Sequence, residues 1–310
     1  MSVEIKEQSD NRKALQEQEA PTYTLWQIRL QLTKPLTWVG PVWAVAVGTV
    51  GAAQADLSIA TILWSFALMF LIGPLVLGMG QSINDYYDAD VDAINEPHRP
   101  CAREPRFKEL AIVNVFVLGI ASLILSFFFF PIEIFYLVAV GLLVAYIYSA
   151  PPLRLKQNGW WGNSACALTY VSLPWIAALY LFDSFSTNQL ILALIYAIGS
   201  HGMMTLNDFK SVEGDKRSGL KSIVVLYGVE GGLKVLLAMM TISQLLAAAF
   251  VAYHGQYIGA TILVVLWLAQ FPFQPKLKKD PKAMAPWYNA TANSFFIIAM
   301  MVAAYSLKHL

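Results

Sequence analysis

Long apolar stretches dominate the chain and are separated by short polar segments. Nine of them reach, or nearly reach, the length needed to cross ~30 Å of hydrocarbon as helices. They cover 36–55, 58–82, 109–129, 132–149, 162–182, 188–207, 231–253, 256–273 and 286–307. Apolar residues blocked into runs of this length are the signature of an integral membrane protein, so the chain is expected to be all-α with nine transmembrane helices. Before the first run, TLWQIRLQLTKP mixes Trp26, Ile28, Leu30 and Leu32 with Arg29 and Lys34. That mixture predicts a short helix lying at a membrane interface. Residues 1–22 are polar and of mixed charge with no apolar core, so they read as a disordered cytoplasmic tail rather than a cleavable signal peptide. Residues 23–310 form the expected single membrane domain.

Composition agrees. Of the 310 residues, 57% are hydrophobic and 13% charged, with a mean hydropathy of +0.54. Soluble domains carry about 25% charged residues. A net charge of +1 gives no reason to expect nucleic acid. Cys101 and Cys166 lie far apart with no metal or redox spacing, and read as unpaired thiols. The basic residues set an orientation. All but one of the 21 Lys and Arg fall in the amino-terminal region or in the segments that follow the ends of the second, fourth, sixth and eighth runs, with Lys234 just inside the seventh; Lys308 is the exception. The positive-inside rule therefore predicts a cytoplasmic amino terminus, with those ends facing the cytoplasm.

Against this background, NDYYDADVDAINEPHRP at 84–100 stands out, because it gathers carboxylates at the end of a strongly apolar run. At ~100° per residue, Asp88 lies near 40° from Asn84, Asp92 near 80° and Asp85 near 100°. Asp90 points away. NDFKSVEGD at 207–215 repeats the pattern 123 residues later, with Asn207, Asp208, Ser211 and Asp215 at matching offsets and Glu213 out of phase. Two such motifs at equivalent helix ends suggest related halves facing each other. Carboxylates this close repel and need compensation. Hard oxygen donors on two walls suit Mg²⁺, which binds one or two carboxylates together with substrate phosphates. Asn84, Asp85, Asp88, Asp92, Asp208 and Asp215 are the candidate metal ligands. The competing reading is a set of solvated helix-end charges. Lys34, Arg154, Lys156 and Lys210 are candidates to neutralise a leaving diphosphate. Tyr148, just before Arg154, could stabilise a developing cation with its ring face. Arg99, Asn207 and Ser211 are expected to bind substrate. His98 reads as a loop residue. His201, six residues before Asn207, reads either as a hydrogen-bonded core histidine or as a ligand to a bound pigment's metal.

The N-D-x-x-D-x-x-x-D pattern resembles the signature of the UbiA-type membrane prenyltransferases. DAINEPHRP, YSAPPLRLKQNGW and NDFKSVEGDKRSGLKS resemble the chlorophyll and bacteriochlorophyll synthases of that superfamily, with SHGMMTLNDFK and KAMAPWYN most similar to the bacterial branch. The resemblance extends from LQLTKPLTWVGPVWA to the carboxyl terminus. One departure is clear: the family follows this motif with IPSG, whereas here CAREPRFKEL follows Pro100.

The resemblance implies nine helices around a central cavity, Mg²⁺ dependence, and esterification of a (bacterio)chlorophyllide propionate by a geranylgeranyl or phytyl diphosphate. It implies those two substrates, membrane lipid and photosystem assembly proteins as partners. A propionate has a pKa near that of Glu, about 4.3, so it is ionised at neutral pH and needs no general base. Trp38, Trp43, Trp160, Trp161, Trp175 and Trp287 are candidates for an aromatic wall against the tetrapyrrole, or for interfacial belt positions. Rival readings are a prenyltransferase with another acceptor, a transporter, and a non-catalytic pigment-binding protein. The acidic groups sit at helix ends rather than at mid-membrane, which argues against transport.

Overall fold

The computed structural model describes residues 23–310, and the expected tail at 1–22 lies outside the described residues. Helix α1 (Leu25–Leu32) begins in a capping box. The Thr24 hydroxyl accepts from the Gln27 amide, and the Gln27 side chain accepts from the Thr24 N–H. A 3₁₀ turn at Pro35–Trp38 leads into α2 (Val39–Gly51). The following helices are α3 (Ile59–Asn95), α4 (Phe107–Phe129), α5 (Ile132–Ser149), α6 (Gly159–Leu181), α7 (Thr187–Arg217) and α8 (Ile223–Tyr253). The chain closes with α9 (Tyr257–Leu268), α10 (Pro281–Ala290) and α11 (Ala292–Ser306).

Among the described residues, seven helical segments are long and apolar enough to cross a membrane, against the nine expected. The first and last expected spans are interrupted. Pro35 opens a 3₁₀ turn that leaves α2 only 13 residues long. A break at Thr291, just after the Pro286-containing α10, leaves α11 with 15 residues. Hydropathy windows register apolar content but not such breaks.

Elsewhere the helices exceed the apolar runs. No breaker occurs in 84–95, so α3 carries the whole first acidic motif before ending ahead of Pro97. Helix α7 likewise continues through the second motif. It ends in a Schellman turn at Gly219, whose φ of 71° favours glycine. There the Leu220 N–H donates to the Asp215 carbonyl at 2.9 Å. In α8, Gly228 takes φ 71° and breaks the helix, so the expected span beginning at 231 follows a separate first turn. Pro74 sits within a π-helical stretch, Leu71–Leu77, that accommodates the missing N–H within α3.

Helix packing is close. A Cβ on Gly48 of α2 would lie 2.3 Å from the Trp175 carbonyl of α6. Trp175 itself is fully buried and donates to Gln189 Oε1 at 3.2 Å, so it is a core residue rather than a belt or pigment-wall residue. Cys101 and Cys166 are both free thiols, as expected.

Candidate active site

The ends of α3 and α7 that carry the acidic motifs face one cavity of ≈ 250 Å³. Asn84, Asp88 and Asp92 line it from α3, and Asn207, Asp208, Lys210, Ser211 and Asp215 line it from α7. Arg99, Tyr148 and Lys156 complete most of the predicted set at the wall. Lys34, Asp85, Arg154 and His201 do not line it. Asp90 is exposed, and Glu213 pairs outward with Arg217 at 2.6 Å, as their helical phase requires. His98 is exposed in the loop after α3.

The first motif is already matched with cations. Lys34 donates to Asn84 Oδ1 at 3.0 Å and lies 3.2 Å from Asp85 Oδ1. Asn84 donates to Asp88 Oδ2 at 2.7 Å. The Lys156 ammonium bonds Asp88 Oδ1, and Arg154 Nη2 approaches the same oxygen at 3.4 Å. Arg99 forks onto Asp92, with Nη1 at 2.9 and 2.8 Å from its two oxygens, and also pairs with Glu96. Arg154 and Lys34 reach these positions from left-handed backbone, at φ 38° and 46°. Such a conformation costs a non-glycine residue about 1–2 kcal/mol, which the surrounding contacts must offset.

Burial pushes the ammonium groups of Lys34 and Lys156 below their usual range, while Asp85 and Asp88 respectively oppose that shift. Burial also works against Arg99, but Asp92 and Glu96 outweigh it and hold its guanidinium above its usual value. Lys156 also lies 5.9 Å from the centre of the Tyr148 ring.

The second motif is different. Asp208 Oδ2 accepts the Ile223 N–H at 3.1 Å, and Asp215 Oδ2 accepts the Ser211 hydroxyl at 3.1 Å. Among the described residues, no Lys or Arg forms an ion pair with either carboxylate. Asp85, at the position equivalent to Asp208, is 0% exposed and accepts the Cys101 N–H at 3.3 Å. Asp208 therefore anchors the start of α8, and Asp85 the start of the short helical turn Pro100–Arg103. Asp208 does so from the cavity wall, and Asp85 from behind it.

The loops are tied together as well. The Lys221 N–H donates to Gln157 O at 2.9 Å, and the Gly159 N–H to Lys221 O at 2.8 Å. This joins the segment bearing Arg154 and Lys156 to the one that follows the second motif.

Sequence reasoning overlooked Asn95, Asn163 and Ser222, which also line the cavity. For Asn95 a signal was present: it falls at about 20° in the helical phase that groups Asn84, Asp88 and Asp92. Asn163 and Ser222 carry no such signal, because their place depends on packing. His201 is 4% exposed on α7. Its Nδ1 lies 3.1 Å from Ser164 Oγ, its Nε2 has no partner, and the Trp160 ring lies 5.2 Å away.

The donor set fits a hard divalent cation. It consists of carboxylates and amide oxygens, and two of the wall carboxylates lack a cationic partner. Among the described residues no three His, Cys, Asp or Glu side chains converge closely enough to cage a metal unaided. Such a wall suits an ion that shares its coordination with substrate phosphates.

The pattern of the UbiA prenyltransferase family matches residues 41–301. The chloroplastic chlorophyll synthase of Oryza sativa subsp. japonica is 39% identical over 293 residues, covering 92% of this chain and 78% of that protein. The bacteriochlorophyll synthase 33 kDa chain of Cereibacter sphaeroides is 36% identical over 287 residues, covering 91% and 93%. A solved UbiA homolog from Archaeoglobus fulgidus, bound to DMAPP and Mg²⁺, matches with a TM-score of 0.70 at 22% identity. That match covers 91% of this chain and 99% of the other, and shows the fold.

Proposed function

On the premise that this chain belongs to the UbiA prenyltransferase family, and is therefore an integral membrane prenyltransferase, we propose that it esterifies the propionate of a (bacterio)chlorophyllide with a prenyl diphosphate. Diphosphate is the leaving group. The observation that carries this reading is the convergence of both acidic motifs, with Lys156 and Arg99, on one cavity. The named chlorophyll and bacteriochlorophyll synthases, at 35–40% identity over most of the chain, favour this acceptor over a quinone-type ring.

Asn84, Asp88, Asp92, Asp208 and Asp215 would hold Mg²⁺, which supplies charge neutralisation for the diphosphate. Lys156, Arg99 and Lys210 bind the phosphate oxygens and stabilise the charge that collects on them as the C1–O bond breaks. The electron pair of that bond leaves with the diphosphate. A propionate oxygen forms the new bond to C1, and no proton has to move. Tyr148 shields the reacting carbon from water and presents its ring face to the developing positive charge. Lys34 and Arg154 act behind the wall by fixing Asn84 and Asp88.

The cavity is small against the ~300–1,000 Å³ usual for ligand sites, so it suits the diphosphate rather than the tetrapyrrole. The ring then lies outside it, toward lipid. His201 is our candidate ligand for the pigment's metal, because its Nε2 is buried and unpartnered. The amino terminus and the site face the cytoplasm in this reading, and photosystem assembly proteins would receive the product.

The test is incubation of purified protein with Mg²⁺, each chlorophyllide and each prenyl diphosphate, followed by chromatographic separation of esters. Ester formation that depends on both substrates and on Mg²⁺ is expected. Its absence in every combination would overturn the assignment.

A further inference from the structure

Asn95 is the last residue of α3 and stands at the cavity wall three residues after Asp92. Its Oδ1 accepts the Gly214 N–H of α7 at 3.0 Å. Among the hydrogen bonds of the described residues, this one directly joins the two helices that carry the acidic motifs. The approach requires glycine. A Cβ at 214 would lie 2.4 Å from both Oδ1 and Nδ2 of Asn95. The residue after Gly214 is Asp215, whose carbonyl is held in turn by the Leu220 N–H. On the other side, Asp92 is held by the Arg99 fork. The Asn95–Gly214 contact therefore lies between Asp92 and Asp215 along the two helices.

We propose that the Asn95–Gly214 contact is a positioning latch that sets the gap between the two acidic walls, so that a divalent cation and a diphosphate bind across them without the walls first being drawn together. This rests on the reading of the cavity as a metal–diphosphate site. The physical need is specific. A neutral amide joins the walls without disturbing the ion pairs of the first or adding charge beside the unpaired carboxylates of the second. A gap fixed in advance spares the ordering cost that binding would otherwise carry. Asn95 touches no reacting atom in this arrangement, and acts through Asp92 and Asp215.

The test uses detergent-purified full-length protein, with Mn²⁺ as a paramagnetic probe and inorganic diphosphate as co-ligand. Free Mn²⁺ is measured by electron paramagnetic resonance. Asn95→Ala is expected to weaken diphosphate-dependent Mn²⁺ binding about tenfold while leaving helicity unchanged. Gly214→Ala, whose methyl group displaces the Asn95 amide, is expected to do the same, and it carries the test should Asn95→Ala fail to fold. In the Asn95→Ala background Gly214→Ala meets no amide. The double variant is therefore expected to lose about tenfold rather than a hundredfold, the non-additivity of one shared contact. Asp90→Ala, on the exposed face, serves as the unaffected control. Wild-type Mn²⁺ affinity in Asn95→Ala, or fully additive losses, would overturn the latch. Failure of the wild-type protein to bind Mn²⁺ better than Asp88→Ala would instead overturn the site reading beneath it.

Discussion

Asp88 and Asp208 sit on opposite walls of one cavity in opposite electrostatic states. Asp88 is shared by Lys156 and Arg154, whereas Asp208 accepts the Ile223 N–H and, among the described residues, pairs with no Lys or Arg. Their replacements should therefore differ in structure but agree in chemistry. Asp88→Asn leaves Lys156 facing a weaker acceptor, while Asp208→Asn keeps an oxygen for the Ile223 N–H. Each is expected to lower turnover by at least about 10²-fold, the scale of losing one charge-stabilising group at a reacting centre. Unchanged circular dichroism should accompany the loss, and near-normal turnover in either would remove that residue from the site. Cys101 gives a second prediction at this scale. Burial, reinforced by Asp85, pushes its thiol up to about 12 from 9.0. A raised value favours the protonated fold, so its contribution to stability is full below pH 9 and is lost as pH rises toward 12. At pH 8 the native thiol should resist maleimide and react only after denaturation, as read by mass spectrometry. Rapid labelling of the native protein would contradict the burial.

Among the elements, close contact between α2 and α6 depends on Gly48. A methyl group there meets the Trp175 carbonyl at 2.3 Å and the Ala178 Cβ at 2.8 Å, both in helix and neither free to swing aside. Gly48→Ala is expected to destabilise the protein by about 1–3 kcal/mol, the usual cost of overpacking. A lowered unfolding midpoint in detergent would show it, and an unchanged midpoint would mean the two helices are not so closely seated. The acidic motifs show what a helix transmits and what it does not. Phase along α3 correctly separated Asp88 and Asp92 from Asp90, because all three share one rigid element. The same phase admitted Asp85, near the edge of the arc, where Lys34 and the Cys101 N–H arrive from other segments and enclose it. The CAREPRF departure also becomes legible at this scale. Cys101 supplies that N–H, and Arg103 lies over the rings of Tyr23 and Phe107 at 4.8 and 5.7 Å. The altered loop thus packs toward α1 and α4.

At the scale of the whole molecule, orientation is the quantity to test. Leu57, 99% exposed in the loop before α3, lies at the opposite end of that helix from the acidic motif. Lys216 is exposed at the site end of α7. In a background lacking the native cysteines, Leu57→Cys should react with an impermeant thiol reagent from outside intact cells, and Lys216→Cys only in inverted vesicles. The reverse pattern would place the site on the outer face. The sequence by itself determined the helical class, most span positions, the two matching motifs and their helical phase. These depend on local apolar content and on a periodicity confined to single helices. Only the tertiary structure decided that Asp85 turns away from the cavity and that Asn95 and Gly214 meet. The meeting of Asn95 and Gly214 depends on how closely helices pack when their sequences lie more than a hundred residues apart, and the place of Asp85 on Lys34 and Cys101 arriving from other segments. A hydropathy profile contains no distance of that kind.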